Sequence, residues 1–300
     1  MSISGISNAP TKSRAWLLAT RPATLWAGAV PVFVGAAIAH ADDAGPTSSS
    51  FVALLGALFI QIATNLVNDY ADFKKGADGP ERLGPARATS QGWLSPREVL
   101  SGAVLTLALA GLVGIYLSTI GGLPILVLGL VSILCAVAYT SGPMPLAYVG
   151  LGDLFVIAFF GVAAVSGTYY LETGQVTMAP VIGGLAIGAL ATMILVVNNL
   201  RDRENDARVG KRTLAVRFGV RFTQAEYIFL CLAAYGLVAL GIIMGIFSRW
   251  TSLVALTLPF AVLECRAILT KDGGALNPHL GGAARLELLF GVLFCVGVVL

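Results

Sequence analysis

The sequence predicts an all-α integral membrane protein, a single domain of about nine transmembrane helices, and three observations predict it. Hydrophobic residues make up 57% of the 300-residue chain and charged residues only 12%, with a mean hydropathy of +0.84. A soluble domain carries roughly 25% charge, and a globule of this size has too little polar surface to hide so much apolar matter from water. Residues 99 to 152 contain no Asp, Glu, Lys or Arg at all. The basic residues fall almost entirely on one side of the expected spans. The same figures exclude disorder, collagen and a disulfide scaffold, and a net charge of +3 gives no support to a nucleic-acid partner.

Lipid offers the backbone no hydrogen-bond partners, and long unbroken apolar runs favour helices of about 20 residues over barrel strands. The first fourteen residues are polar, with Lys12 and Arg14 and no small-residue cleavage site; the apolar run after them is too long for a signal-peptide core and is read as a span. In order, the spans are expected near 15–40, 51–72, 98–119, 122–141, 152–171, 178–201, 224–246, 250–270 and 283–300. Gly121-Gly122-Leu123-Pro124 separates the third from the fourth. The 35 glycines suit close helix approach. With the amino terminus inside, 18 of the 19 Lys and Arg lie in inner segments, and Arg249 alone lies outside, where Asp42, Asp43 and Glu172 sit. That asymmetry places the protein in the cytoplasmic membrane with its amino terminus and loops 65–89 and 198–214 facing the cytosol. Cys135, Cys231, Cys265 and Cys295 form no C-x-x-C pair and are read as packing residues, and His40 and His279 are too far apart to share a ligand.

The inner loops after the second and sixth spans hold two similar clusters 130 residues apart. The first runs Asn65-Leu-Val-Asn68-Asp69-Tyr70-Ala-Asp72 through Lys74, Lys75 and Asp78 to Arg82, Arg87 and Thr89; the second runs Asn198-Asn199-Leu-Arg201-Asp202 through Asp206 to Lys211-Arg212-Thr213. Each has an Asn followed four residues later by an Asp, then another Asp, then basic residues before a Thr. Residues i and i+4 share a helix face, so Asn68 and Asp72 point one way, and Asn198, Asp202 and Asp206 form a second stripe. Two facing carboxylate stripes repel unless a cation sits between them. Hard oxygen ligands suit Mg²⁺, which bridges to phosphates, and the nearby Lys and Arg suit phosphate oxygens. Topology alone would need only Lys and Arg; Asn and Asp inside the ends of apolar spans point to a site. Taken singly, Lys74, Lys75, Arg203 and Arg208 read as well as topology signals. No isolated charge is expected at a span centre, which separates this pattern from a secondary transporter with a midplane site.

At these residues the chain resembles the UbiA-type intramembrane prenyltransferases over its whole length. The segments that carry the resemblance are Arg21-Pro22-Ala-Thr24, Asn68-Asp69-Tyr70-Ala-Asp72, Arg82-Leu-Gly-Pro-Ala-Arg87-Ala-Thr89 and Tyr139-Thr-Ser-Gly142-Pro143-Met-Pro145-Leu, followed by Gly150-Leu-Gly152-Asp153, Gly167-Thr168-Tyr169-Tyr170 and Asn198-Asn199-Leu-Arg201-Asp202 with Gly210-Lys211-Arg212-Thr213-Leu214. Within the family they are most similar to the branch acting on 1,4-dihydroxy-2-naphthoate in menaquinone synthesis, ahead of 4-hydroxybenzoate or homogentisate branches. The resemblance implies a bundle around a central cavity open to the cytosolic side. It implies two Mg²⁺ ions, held by Asn68, Asp72, Asp78, Asn198, Asp202 and Asp206, that bridge a polyprenyl diphosphate gripped by Arg82, Arg87, Lys211 and Arg212. Many relatives place the last Asp of the first motif where this chain has Gly76, and Asp78 is the nearest later carboxylate. Asp72, Asp202, Asp206 and Tyr139 are the implied catalytic residues, with Asn65, Tyr139 and Asp153 on the side of the aromatic substrate. The implied reaction ionises the prenyl diphosphate, joins the prenyl group to the ring, and releases diphosphate and CO₂ to give demethylmenaquinone. Tyr139 also reads as an interfacial anchor, Asp153 as a helix start, and Tyr169 and Tyr170 as anchors; Asn277 and Arg285 are given no chemistry.

Overall fold

The computed structural model describes residues 10–45, 47–76, 82–142 and 145–300, and among them every regular element is helical. α1 (Lys12–Ala19) is capped by the Thr11 hydroxyl. The expected first span breaks in two after it. Arg21 takes a left-handed backbone, φ 51°, and Pro22 opens α2 (Pro22–Ala41). Proline at a first helical position gives up a donor the helix does not use, and its ring disfavours a helix running through from the preceding residue.

α3 (Ser48–Lys74) is followed by α4 (Pro96–Ala138), which breaks at Gly122, φ 66°. As one straight helix its 43 residues would reach about 64 Å, twice the hydrocarbon thickness. The break makes it the hairpin of two spans expected there. A short turn, Leu146–Tyr148, leads to a composite span: α5 (Gly152–Val156), a π-helical stretch Ile157–Ala163, and α6 (Ala164–Thr173). α7 (Met178–Arg208) and α8 (Leu214–Ile243) follow. A 3₁₀ stretch, Arg249–Thr257, runs into α9 (Leu258–Thr270), and another, Gly273–Leu276, runs into α10 (Asn277–Val299). Among the described residues eight segments are long and apolar enough to cross a bilayer, and the break at Gly122 makes nine passes.

The helices outrun the spans read from hydropathy. α3 and α7 continue to Lys74 and Arg208, so Asp72, Asp202 and Asp206 stand on helical ends rather than in loops. α8 begins ten residues early, at a Thr213 cap, and bends at Gly219. α7 is the central helix: 83% of its apolar window is buried, against 11% for α4. The π-helical stretch lies directly on it. A Cβ on Gly161 would come within 2.4 Å of the Gly184 carbonyl oxygen and 2.8 Å of the Gly188 Cα, so glycine is what permits that approach.

Between α2, α3, both halves of α4 and the composite span lies an apolar cavity of ≈ 200 Å³. Phe155, Phe159 and Phe160 form one wall, and Tyr139 closes the end where α4 finishes. Phe155 and Phe159 stack with centroids 5.7 Å apart.

Three further features position the face of the bundle that carries the acidic motifs. Asp69 accepts hydrogen bonds from the main-chain N–H of Ala88 and Thr89 at 3.1 and 3.4 Å and from the Thr89 hydroxyl, which folds the 82–95 segment back over α3. Asn277, at the start of α10, donates from Nδ2 to the Leu83 carbonyl at 2.7 Å and latches that segment across the bundle. His279 bridges Glu264 at 2.8 Å and Lys271 at 2.7 Å and so ties α10 to α9.

One expectation is overturned. Glu287 sits at the middle of α10, fully buried, with neither carboxylate oxygen hydrogen-bonded among the described residues. The polar end of the last expected span hid it, because Arg285 two residues earlier reads as the inner boundary. An unsatisfied buried polar group costs about 1–3 kcal/mol. Glu287→Met is therefore expected to raise stability by about that amount, read as a higher unfolding midpoint in detergent. Asn277→Ala is expected to speed amide hydrogen exchange across 83–89 by about tenfold, the loss of one latch hydrogen bond, with exchange in α7 unchanged.

Candidate active site

The last two turns of α3 and the last three of α7 bring the acidic motifs to one face of the bundle. On α3, Asp72 is buried and accepts from Arg87 Nη2 at 2.7 Å. Asn68 Oδ1, one turn earlier, accepts from the Thr140 hydroxyl. On α7, Asn198, Asp202 and Asp206 occupy successive turns. Arg201 donates to both oxygens of Asp202, at 2.8 and 2.5 Å, to Asn198 Oδ1 at 2.7 Å, and to Asn277 Oδ1 at 3.1 Å. Its side chain is 1% exposed. Lys211 pairs with Asp206 at 3.2 Å from the hairpin that leads to α8. Asp72, Asp202 and Asp206 thus each meet a cation, whereas the buried Asp69 is satisfied by neutral donors of Ala88 and Thr89.

Tyr148 joins the two halves. Its hydroxyl donates to Asp72 Oδ1 at 3.2 Å, and its carbonyl accepts from the main-chain N–H of Arg212 at 3.0 Å. The ammonium of Lys75 lies 4.0 Å from its ring centroid and that of Lys211 lies 6.0 Å away. Lys75 also donates to the Thr140 carbonyl at 2.8 Å. Burial pushes the Tyr148 phenol above its ordinary range, and the neighbouring Asp72 adds to the shift, so it stays a donor at neutral pH. Burial lowers the Lys75 pKa, with Lys211 adding to the effect and Asp72 opposing it. Asp206 lies within electrostatic reach of both Asp202 and Asp72. The two stripes therefore share one site.

The remaining residues fall around this centre. Arg82 donates to the Pro85 carbonyl at 3.1 Å and lies within electrostatic reach of Asp202 and of Arg21, which also feels Arg87. The hydrogen bonds of Arg212 run through its main chain, to Tyr148 and from Arg217. Tyr139 stands between the apolar cavity and a small polar recess that also includes Asp153, Asn199 and Gly152. Asn65 is not drawn into the cluster: its amide donates to the Thr20 carbonyl at 2.9 Å and to the Thr24 hydroxyl at 3.1 Å, a tie between α3 and the α1–α2 joint. Asp78 lies outside the described residues. Sequence reasoning missed Tyr148, Asn277 and the forked role of Arg201. Only Arg201 left a signal, as a basic residue inside an apolar span end beside Asn198 and Asp202.

Among the described residues, no three carboxylate, imidazole or thiol side chains converge tightly enough for an all-protein metal cage. The donors are hard oxygens of carboxylates and amides spread over two helix ends. That set fits Mg²⁺ ions that keep several waters and complete their shell with phosphate oxygens.

The chain matches the UbiA prenyltransferase family over residues 28–277. It is similar to a 1,4-dihydroxy-2-naphthoate octaprenyltransferase of Escherichia coli (strain K12), 34% identical over 299 residues, covering 97% of this chain and 96% of that one. A protein of the same description from Mycobacterium tuberculosis is 35% identical over 259 residues, 86% of this chain and 87% of that one. Among solved structures, the apo form of a UbiA homolog from Aeropyrum pernix K1 superposes with a TM-score of 0.70 at 16% identity, covering 92% of this chain and 96% of that one. A UbiA homolog from Archaeoglobus fulgidus bound to DMAPP and Mg²⁺ gives a TM-score of 0.64 at 18% identity, covering 94% and 99%. The helical fold, the two facing acidic stripes and the near full-length matches agree: this chain belongs to the UbiA prenyltransferase family.

Proposed function

We propose that the protein transfers a polyprenyl group from polyprenyl diphosphate to 1,4-dihydroxy-2-naphthoate, with Mg²⁺, releasing diphosphate and CO₂ and forming demethylmenaquinone in its reduced, quinol form at the cytosolic face of the cell membrane. The observation that carries this reading is the convergence of the two acidic stripes and their lysines on Tyr148, next to an apolar cavity. The names of the E. coli and M. tuberculosis relatives supply the acceptor.

Asn68, Asp72, Asn198, Asp202 and Asp206 would hold the metal, with Asp78 added by resemblance to the family motif. When bound, Mg²⁺ supplies Lewis-acid stabilisation of charge on the departing oxygens. Lys75 and Lys211, set close together by the Tyr148 ring, present two ammonium groups to a diphosphate, and Arg82, Arg87 and Arg212 add guanidinium charge at the same face. The cavity beside Tyr139 takes the first isoprenoid units, and its Phe155, Phe159 and Phe160 wall excludes water from an allylic cation. Aromatic faces also favour positive charge near them.

The test is purified protein with a radiolabelled prenyl diphosphate, offered dihydroxynaphthoate, 4-hydroxybenzoate and homogentisate in parallel, with and without Mg²⁺. Prenylated product from dihydroxynaphthoate, with CO₂ released from carboxyl-labelled acceptor and only when Mg²⁺ is present, is the expected result. Product from 4-hydroxybenzoate alone would move the protein to another branch. Asp72→Ala, Asp202→Ala and Asp206→Ala are each expected to lower turnover at least about a hundredfold while circular dichroism stays unchanged. Tyr148→Phe, which keeps the ring, is expected to weaken binding of inorganic pyrophosphate by about threefold, and Tyr148→Leu, which removes the ring from under two ammonium groups, by more than about tenfold, both by calorimetry.

A further inference from the structure

We infer that the far end of the apolar cavity sets how many isoprenoid units of the donor the protein grips, with Leu117, Ile125 and Leu171 as the stop and Gly114 as the residue that keeps the last unit's place open. The inference rests on the prenyltransfer reading above. Between Tyr139 and that end the lining offers a tail little but hydrocarbon. The hydroxyls of Thr64, Ser132 and Thr168 donate to carbonyls one turn back on their own helices, at 2.8, 2.7 and 2.8 Å. The Gln61 amide nitrogen is turned to the Thr24 carbonyl at 3.2 Å. Among tails built of one repeating unit, such a wall discriminates by length.

The far end is closed. Leu117, Ile125 and Leu171 are the last lining residues on the first half of α4, on its second half and on α6. Leu117 and Ile125 are 7% and 6% exposed on a helix that otherwise faces outward. Gly121, at the hairpin tip, packs so tightly on this end that a Cβ there would strike Ile125 and stand 3.1 Å from Leu171. One turn nearer the acidic face, glycines from three helices stand at one level. Cβ positions on Gly56, Gly129 and Gly167 would lie 2.9 Å from Val113, 4.0 Å from the Gly114 Cα and 2.7 Å from Leu128, so these three serve close helix approach. Gly114 differs, because a Cβ there meets no atom within 4 Å. It shares a helix stripe with Ala110, Val113 and Leu117, all of which border the cavity, so the space its missing side chain leaves is lumen.

At about 1.5 Å per helical residue, the stop lies about 21 Å from Tyr139 along α4 and the glycine level about 15 Å. An extended chain advances about 1.2 Å per single bond, so an isoprenoid unit of four such bonds covers about 5 Å. The stop therefore admits no more than about four units, and a side chain at Gly114 would meet the tail after about the third. Units beyond the stop lie in the bilayer, where lipid serves them as well as protein does.

The test measures binding of unreactive prenyl thiolodiphosphates of one, two, three, four and eight units, with Mg²⁺, to the whole protein in lipid nanodiscs. Inorganic pyrophosphate is the tail-free reference, and ligand is counted per lipid so that partition into the bilayer cancels. Wild-type affinity is expected to rise with length, to stop rising no later than the fourth unit, and to change less than about twofold from four units to eight. Gly114→Leu is expected to leave pyrophosphate and the one- and two-unit ligands within about twofold of wild type and to weaken the four- and eight-unit ligands about tenfold. Should Gly114→Leu fail to fold, Gly114→Ala decides, with a loss of about threefold confined to the same two long ligands. A loss equal at every length, or none at any, overturns the role of Gly114. Wild-type affinity that climbs on from four units to eight overturns the stop. A wild type that binds no prenyl ligand more tightly than pyrophosphate overturns the prenyltransfer reading itself, and the inference with it.

Discussion

A carboxylate taken out of water must meet a cation, a metal, a proton or hydrogen-bond donors, and that constraint organises the face of the bundle that carries the acidic motifs. Asp72, Asp202 and Asp206 are each buried at the end of a long helix, and the cation that meets each one comes from a different kind of place. Arg87 arrives on the segment that returns from α3 to α4, Lys211 on the hairpin between α7 and α8, and Arg201 from the turn of α7 itself. Satisfying the charges therefore folds the connecting segments down onto the helix ends. The Asp69 contacts to Ala88 and Thr89 and the Asn277 latch to Leu83 hold the same segment from its two sides. The site and its cover are products of one electrostatic requirement.

Tyr148 shows how such a face becomes a single unit rather than two. It belongs to neither acidic stripe and stands on a three-residue turn between spans, yet it touches Asp72 through its hydroxyl and Arg212 through its carbonyl, and two lysines stand over its ring. The ring reduces the cost of holding two like charges near one another, because each ammonium finds the negative face of the π system. Arg201 does the corresponding work on the other side, where one planar fork serves Asp202, Asn198 and Asn277.

Much of this was legible in the chain. Nine passes, the break at Gly122 and the two i, i+4 stripes follow from hydropathy, glycine chemistry and helix period. What hydropathy could not find were helix ends that carry polar residues, because the backbone stays helical after the apolar pattern stops; α3 and α7 outrun their expected spans for that reason. The division at Arg21 depends on a left-handed residue before a proline, and an apolar run conceals it. Tyr148 and Asn277 escaped because their partners are distant in sequence and partly main-chain atoms, which leave no periodic trace. Glu287 escaped because its neighbour Arg285 made that stretch read as an interface. Asn65 sits on the same helix, and its amide nitrogen is engaged by the α1–α2 joint, a tie that the sequence pattern does not reveal.

The π-helical stretch Ile157–Ala163 has a consequence for the shape of the cavity wall. Phe155, Phe159, Ala163, Gly167 and Leu171 recur at every fourth position, and all of them border the cavity. In a plain α-helix every fourth residue advances about 40° around the axis, so after four such steps Leu171 would have rotated about 160° away from Phe155. Wider turns advance less per residue and cancel most of that drift. The strip from the aromatic end to the far end thus stays on one meridian, straight along the bundle, as a rail for an extended hydrocarbon. Removing a single residue within the wide turns would swing one half of the rail out of line while leaving every side chain on it unchanged.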